Sequence, residues 1–151
     1  MKFPRMILGV AVLSLALLSG CSSEIPVYPV SGKVTLEGKP MMGGGSIAFI
    51  PLDNQPGKTA GGEIAADGTY SLTTNVPNDG CMTGKFRVVI TQVTEQEPES
   101  TPDGEKPIRK AQTVVPMSER IGRIYADHRQ SPLTAEVQAQ SANELNFDLK
   151  R

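Results

Sequence analysis

The sequence predicts one all-β domain, a β-sandwich of seven or eight short strands. A chain of 151 residues has room for one domain with a core of its own. Fifteen Gly and twelve Pro, with no Trp, point to many short elements joined by tight turns rather than to long helices. Apolar and polar residues also alternate in short runs, the pattern of strands with one face against a core.

Before that domain the amino terminus reads as an address. Lys2 and Arg5 make a basic start, and Met6 to Leu18 is an uncharged run rich in Leu, Val, Ile and Ala, as in a secretory signal peptide. The run is shorter than the ~20 apolar residues a spanning helix needs, so export is expected and not a transmembrane anchor. It closes with Leu18-Ser19-Gly20-Cys21, which resembles the lipobox of bacterial lipoproteins: an apolar residue, two small residues and the cysteine that is modified. Small side chains at Ser19 and Gly20 suit a peptidase that passes the backbone through a narrow site. The Cys21 thiol would be the nucleophile that accepts diacylglycerol, and removal of residues 1–20 would leave it first in the chain. Burying acyl chains such as palmitate is worth about 0.8 kcal/mol per methylene, so two or more chains hold a protein where one is marginal. The resemblance further implies outer-membrane sorting in cells with two membranes, because Ser22 and not Asp follows the cysteine.

Residues 21–29, with Pro26 and Pro29, are expected to form a short, partly stiff lipidated tether, and residues 30–151 the sandwich. With Cys21 lipidated, Cys81 has no intramolecular partner. It is expected to be a small half-buried residue or a loop thiol, with intermolecular pairing as the alternative.

In the domain, Val30, Val34 and Leu36 alternate with Ser31, Lys33, Thr35 and Glu37, and Gly32 interrupts the inward set. A turn at Glu37-Gly38-Lys39-Pro40 and a glycine run at Gly43 to Gly45 lead to an apolar strand, Ser46 to Ile50, stopped by Pro51. Residues 53–58 read as a loop. Gly61 to Ile64 and Thr69 to Leu72 flank Ala65-Ala66-Asp67-Gly68, where Asp-Gly supplies hairpin turn chemistry. Asn75 to Gly84 reads as a loop, and Lys85 to Val93 as a central strand because both faces carry apolar side chains. Thr94 to Lys110 is charged and proline-bearing, an exposed loop. Thr113-Val114-Val115 is expected to return as a strand, and Ser118 to Tyr125 to form one or two helical turns capped by Ser118. Thr134 to Gln138 and Leu145 to Leu149 read as two final strands joined by a polar turn.

The order of Tyr28-Pro29-Val30-Ser31-Gly32-Lys33-Val34, Gly38-Lys39-Pro40, Ile47-Ala48-Phe49-Ile50-Pro51, Asp67-Gly68-Thr69-Tyr70 and Gly84-Lys85-Phe86-Arg87-Val88 resembles the carboxypeptidase regulatory-like, transthyretin-like domains of bacterial lipoproteins. Tyr125-Ala126-Asp127, Ser131 to Thr134 and Phe147-Asp148-Leu149 extend the likeness over nearly the whole chain after Cys21. The resemblance implies a prealbumin-like β-sandwich and a non-catalytic accessory role, with no active-site residues to carry over. Cys81-Met82 and the charged insertion depart from the group's pattern.

A search for chemistry leaves no catalytic, cofactor-binding or metal-binding residues to expect. His128 is the single histidine and stands beside Arg129 with no second imidazole at ligand spacing. A Cys81 nucleophile would require the fold to bring His128 to it. No Gly-x-Ser-x-Gly elbow occurs. Gly57-Lys58-Thr59 imitates the end of a phosphate loop, but Leu52 stands where that motif needs glycine. Asp67, Asp79, Asp103 and Asp127 fall in predicted loops without calcium-loop spacing. Hydroxyisourate hydrolases of the transthyretin fold end in Tyr-Arg-Gly-Ser, whereas this chain ends in Phe147-Asp148-Leu149-Lys150-Arg151.

Removing residues 1–20 takes away Lys2 and Arg5 and no acid, leaving 13 basic against 16 acidic side chains, without the basic stripe of a nucleic-acid binder. The expected role is a membrane-anchored binding or structural module at the cell envelope, contacting a protein, peptide or glycan. A carbohydrate-binding module is the alternative, and an unrecognised hydrolytic site the more remote one. Tyr28, Tyr70, Tyr125 and the four Phe fall mostly at predicted core positions, which favours a protein partner over a sugar platform.

Overall fold

The computed structural model describes residues 25–52, 54–94 and 114–151. Leu18, Ser19, Gly20, Cys21 and nearly all of the charged loop, from residue 95 onward, lie outside them. The described chain is all-β. Its strands are β1 (Val27–Tyr28), β2 (Val30–Leu36), β3 (Lys39–Pro40), β4 (Gly45–Pro51), β5 (Ala60–Ile64), β6 (Thr69–Ser71), β7 (Cys81–Met82), β8 (Gly84–Gln92), β9 (Thr134–Val137), β10 (Asn143–Glu144) and β11 (Phe147–Leu149). Seven of these have three or more residues, in keeping with the seven or eight expected.

One hydrogen-bonded path runs β10-β2-β6-β5-β4-β8-β9, with β11 and β3 also on β2. It curls into a sandwich around one apolar core. The long register between β4 and β8, from Gly45 opposite Gln92 to Pro51 opposite Phe86, forms the middle of one wall. Ile47 and Phe49 on β4 and Phe86, Val88 and Ile90 on β8 are buried, each contributing about 1.5–3 kcal/mol of transfer free energy. Phe49 joins the two walls. Its ring lies 5.9 Å from Phe86 on its own wall and 6.1 Å, edge-on, from Phe147 on the other.

The second wall is built on β2. Val30, Val34 and Leu36 are buried as the alternation predicts, and Leu36 leads into a two-residue turn in which Glu37 (φ 51°) and Gly38 (φ 79°) are both left-handed. Such a turn matches strand twist and reverses the chain into β3. The Asp67-Gly68 hairpin forms as expected. Gly68 takes φ 84°, and the Asp67 carboxylate accepts hydrogen bonds from the backbone N–H and the hydroxyl of Thr69.

The carboxyl-terminal segment lies along β2 in parallel, Asn143 and Glu144 opposite Val30 and Ser31, then Phe147 to Leu149 opposite Val34 to Leu36. Between these stretches the ladder breaks, and Asn146 repairs it by accepting the Lys33 N–H through Oδ1 at 2.7 Å. Leu145 fills the break from inside: its N–H donates to the Ser31 carbonyl, and its own carbonyl accepts the Tyr70 hydroxyl at 2.6 Å. A Cβ on Gly32 would overlap that Leu145 carbonyl and crowd the Tyr70 ring. The gap in the inward pattern of β2 is therefore the space the returning chain occupies.

Several expectations are corrected. The last two strands are not neighbours: β9 pairs with β8 and β10 with β2, so residues 138–142 cross from one wall to the other. Val114 and Val115 form no strand. The Val115 N–H makes a single bond to the Thr94 carbonyl, while Thr113 lies outside the described residues. Residues 117–126 hold two 3-10 turns, Met117–Glu119 and Arg123–Ala126, preceded by Pro116 and Gly122 with no side-chain cap, so Ser118 caps nothing. Inside the predicted 75–84 loop, Cys81–Met82 is a strand paired with Val27–Tyr28, and the ordered domain thus begins within the expected tether.

Gly32→Ala should cost about 2–4 kcal/mol in denaturant unfolding, because the clash is with backbone that cannot yield. Gly61→Ala is the control. Its Cβ would meet nothing closer than 3.7 Å, and it should be neutral or stabilise by about 0.4–1 kcal/mol. Equal losses at both positions would contradict the packing described for Gly32.

Candidate functional site

The strands all run between two ends, and loops gather at each. At the first end are the start of β2, residues 52 and 54–58 between β4 and β5, residues 73–80 after β6, and residues 138–142. β1 and β7 cross this end as a two-stranded ribbon. Cys81 and Met82 are both buried, and the Met82 thioether packs against Gly57 of the β4–β5 loop. Gly80, at φ 97°, is pressed against the Tyr28 carbonyl, where any Cβ would overlap it.

Cys81 is fully buried rather than half-buried. Burial pushes its thiol up to about 12, reinforced by the nearby Asp79 charge and opposed by a hydrogen bond from the Met82 backbone. At neutral pH it is a protonated core side chain, not a nucleophile. His128 is exposed on the flank of the sandwich, where its carbonyl and that of Arg129 accept the Arg87 guanidinium at 3.2 and 3.0 Å. Its main chain is thus engaged in holding the 127–131 turn against β8.

The remaining candidates have local duties. Asp79 Oδ1 accepts the Thr74 N–H at 2.6 Å, and Oδ2 accepts those of Asn75 and Val76 at 2.8 and 3.0 Å. Partial burial alone would raise this carboxyl, but the N–H groups of Thr74, Val76 and Asn75 together outweigh it and hold the group below 3.8. Thr74 Oγ1 donates to the Gly80 carbonyl and closes the loop again. Asp127 Oδ1 accepts the Arg129 N–H, and Asp103 lies outside the described residues. Lys58 donates to Asn75 Oδ1 at 2.8 Å and is followed by strand β5, so no helix stands behind Gly57-Lys58-Thr59 to cradle a phosphate. Gly43 to Gly45 is the bend into β4 that the sequence predicts. Among the described residues no three His, Cys, Asp or Glu side chains gather closely enough to hold a metal ion.

The opposite end has an organiser that sequence reading missed. Gln92, the last residue of β8, donates through Nε2 to the Met42 and Glu119 carbonyls at 2.8 and 2.9 Å and accepts the Ile121 N–H at 3.0 Å. One amide so ties the β3–β4 connection to the 3-10 turns. Arg120 Nε adds a bond to the Val115 carbonyl at 3.0 Å. Around this knot Met42, Val93, Val114 and Met117 keep apolar surface exposed, Met117 most at 78 %. Flexible methionines on an apolar rim suit contact with another protein. Tyr70, Tyr125, Phe49 and Phe86 are buried, by contrast, and offer no flat ring to a sugar.

No protein-family model matches the chain, and no curated protein is similar to it at a significant level. Among solved structures it is similar to a DUF3823 family protein from Parabacteroides merdae, at 14% identity and a TM-score of 0.41. That match covers 83% of this chain and 47% of the other, so this chain spans about half that protein's length.

Asp79→Asn should lose about 1 kcal/mol at pH 7, a low value for a charged acceptor because the loop is partly open to water. The Asp79 carboxyl is held below its unfolded value. Its contribution is therefore complete above about pH 4–5 and lost as pH falls through the folded value, below 3.8. Urea titrations should show the gap between wild type and variant closing on that acid side; a gap independent of pH would exclude the capping role.

Proposed function

We propose that the chain is an exported lipoprotein whose β-sandwich is a non-catalytic binding or structural module of the transthyretin-like, carboxypeptidase regulatory-like kind. Lipid on Cys21 holds it at the cell envelope, in the outer membrane where the cell has two. The observation that carries this reading is Leu18-Ser19-Gly20-Cys21, set directly after a basic start and an uncharged apolar run. Of the two cysteines, Cys81 is closed inside the core, which supports Cys21 as the modified one. Two acyl chains or more on one cysteine suffice for lasting attachment without a spanning helix.

The module works through its loops, because a sandwich with an interlocked core presents rigid loop ends to a partner. The apolar, methionine-bearing rim around Gln92 favours a protein or peptide partner. Placement of Tyr70 and Tyr125 in the core weighs against the carbohydrate reading. The high thiol pKa of Cys81 and the flank position of His128 weigh against a hydrolytic one.

Intact mass and membrane fractionation of the expressed full chain beside Cys21→Ala test the anchor. Wild type should lack residues 1–20, carry added acyl mass and pellet with membranes, while the variant should be unacylated and leave the membrane pellet. If both are unmodified and soluble, the lipoprotein reading is wrong and only a β-sandwich of unassigned role remains.

A further inference from the structure

We infer that β1 is a releasable strap: Val27 and Tyr28 detach from Met82 and Cys81 while the sandwich stays closed, which lengthens the chain leading into the domain and uncovers Cys81. Release does not depend on lipid at Cys21, because every group that holds or frees the strap belongs to the domain.

β1 stands in a hydrogen-bonded unit of its own. Its two residues pair with the two of β7, Val27 opposite Met82 and Tyr28 opposite Cys81, and this ribbon shares no ladder with the nine-stranded sheet. A two-stranded ribbon so short has no stability by itself and is held by what it touches. The Val27 and Tyr28 side chains are half-buried, and Ile25 and Pro26 ahead of them are exposed, so β1 gives up little apolar contact on release.

Firm anchorage begins at the next residue. The Pro29 carbonyl accepts the Asn143 N–H at 2.9 Å and Asn143 Nδ2 at 3.4 Å, and the carbonyl of buried Val30 accepts the Leu72 N–H at 3.0 Å. Pro29 has no N–H to give to either ladder, so it separates β1 from β2 and serves as the pivot. A pull on the residues ahead of β1, from whatever holds them, falls on the two-residue ladder before it reaches β2. Release as far as Pro29 adds two residue steps to the free chain, about 7 Å at ~3.3 Å each.

β7 stays behind when β1 leaves. The Gly80 N–H donates to the Leu72 carbonyl at 3.0 Å, and the Met82 thioether is lodged against Gly57. Successive strand residues face opposite sides, so burial of both Cys81 and Met82 means that the ribbon is covered on both faces. Tyr28, directly opposite Cys81, shares its face of the ribbon and lies beside the thiol. Cys81 is therefore the natural reporter of an open strap.

The test follows addition of the Cys81 thiolate across the double bond of N-ethylmaleimide, read by intact mass at urea concentrations below the unfolding transition. The full chain carries Cys21→Ala, which makes Cys81 its single thiol. Labelling should be nearly independent of urea and about tenfold or more faster than global unfolding allows. Tyr28→Ala and Val27→Ala should each speed it several-fold, whereas Gly32→Ala, which weakens the closed sandwich as a whole, should leave it unchanged. Labelling that carries the urea dependence of global unfolding and accelerates with Gly32→Ala overturns the strap, since Cys81 would then be uncovered only when the domain unfolds. Urea-independent labelling that neither β1 variant accelerates overturns it too, by placing the opening in residues 54–58 or 73–80 instead.

Discussion

The fold depends on the parallel pairing of β2 with the last residues of the chain. Val30 to Leu36 receives Asn143 to Leu149 along one edge across more than a hundred residues of intervening sequence. Without that contact β2 would be an edge strand with a row of unpaired backbone groups. With it, Leu149, Leu145 and Phe147 reach the core, and Phe147 meets Phe49 on the opposite wall. Gly32, Tyr70 and Asn146 make this pairing fit: one leaves room, one bonds the Leu145 carbonyl, and one replaces a missing ladder acceptor. At the far tip of β11, Asp148 joins the same closure. It accepts from Lys150, the Gly38 N–H and the Thr35 hydroxyl, which together hold its carboxyl at about 2.

Because β2 lies beside both ends of the described domain, it also polarises the molecule. The chain enters beside the start of β2 and finishes beside its end, where Arg151 pairs with Glu37 at 2.9 Å. Among the described residues the entry end is rich in amides, Asn54, Asn75, Asn78, Gln138 and Gln140. The exit end bears charged side chains, Glu37, Lys150 and Arg151, and the apolar Gln92 rim.

Local chemistry was readable from the sequence and non-local chemistry was not. The Asp67-Gly68 hairpin follows from turn conformations confined to a few adjacent residues, and the alternation in β2 and β8 reports faces each strand sets for itself. The break at Gly32 was visible, but its cause was a carbonyl at Leu145. In the same way, nothing within Leu145 to Leu149 says whether its neighbour is β9 or β2, since period-two patterning is identical for either. Cys81–Met82 is too short for periodicity and gains its strand character from Val27–Tyr28. Gln92 reads as an exposed polar strand end, and only the approach of Met42 and Ile121 makes it a tie. The resemblance of Leu18-Ser19-Gly20-Cys21 to a lipobox, by contrast, is wholly a matter of local sequence, and those residues lie outside the described structure.

If β2 and the terminal segment form the closing contact, their shared amides open only when the whole domain does. Native-state hydrogen exchange resolved by residue measures this directly at Asn143, Leu145 and Leu72, whose N–H groups donate to Pro29, Ser31 and Val30. All three should exchange with the opening free energy of global unfolding and with its denaturant dependence. Exchange of Asn143 and Leu145 by local fraying, while Leu72 and the β4–β8 amides stay protected, would show that the terminal segment only decorates a domain already closed without it.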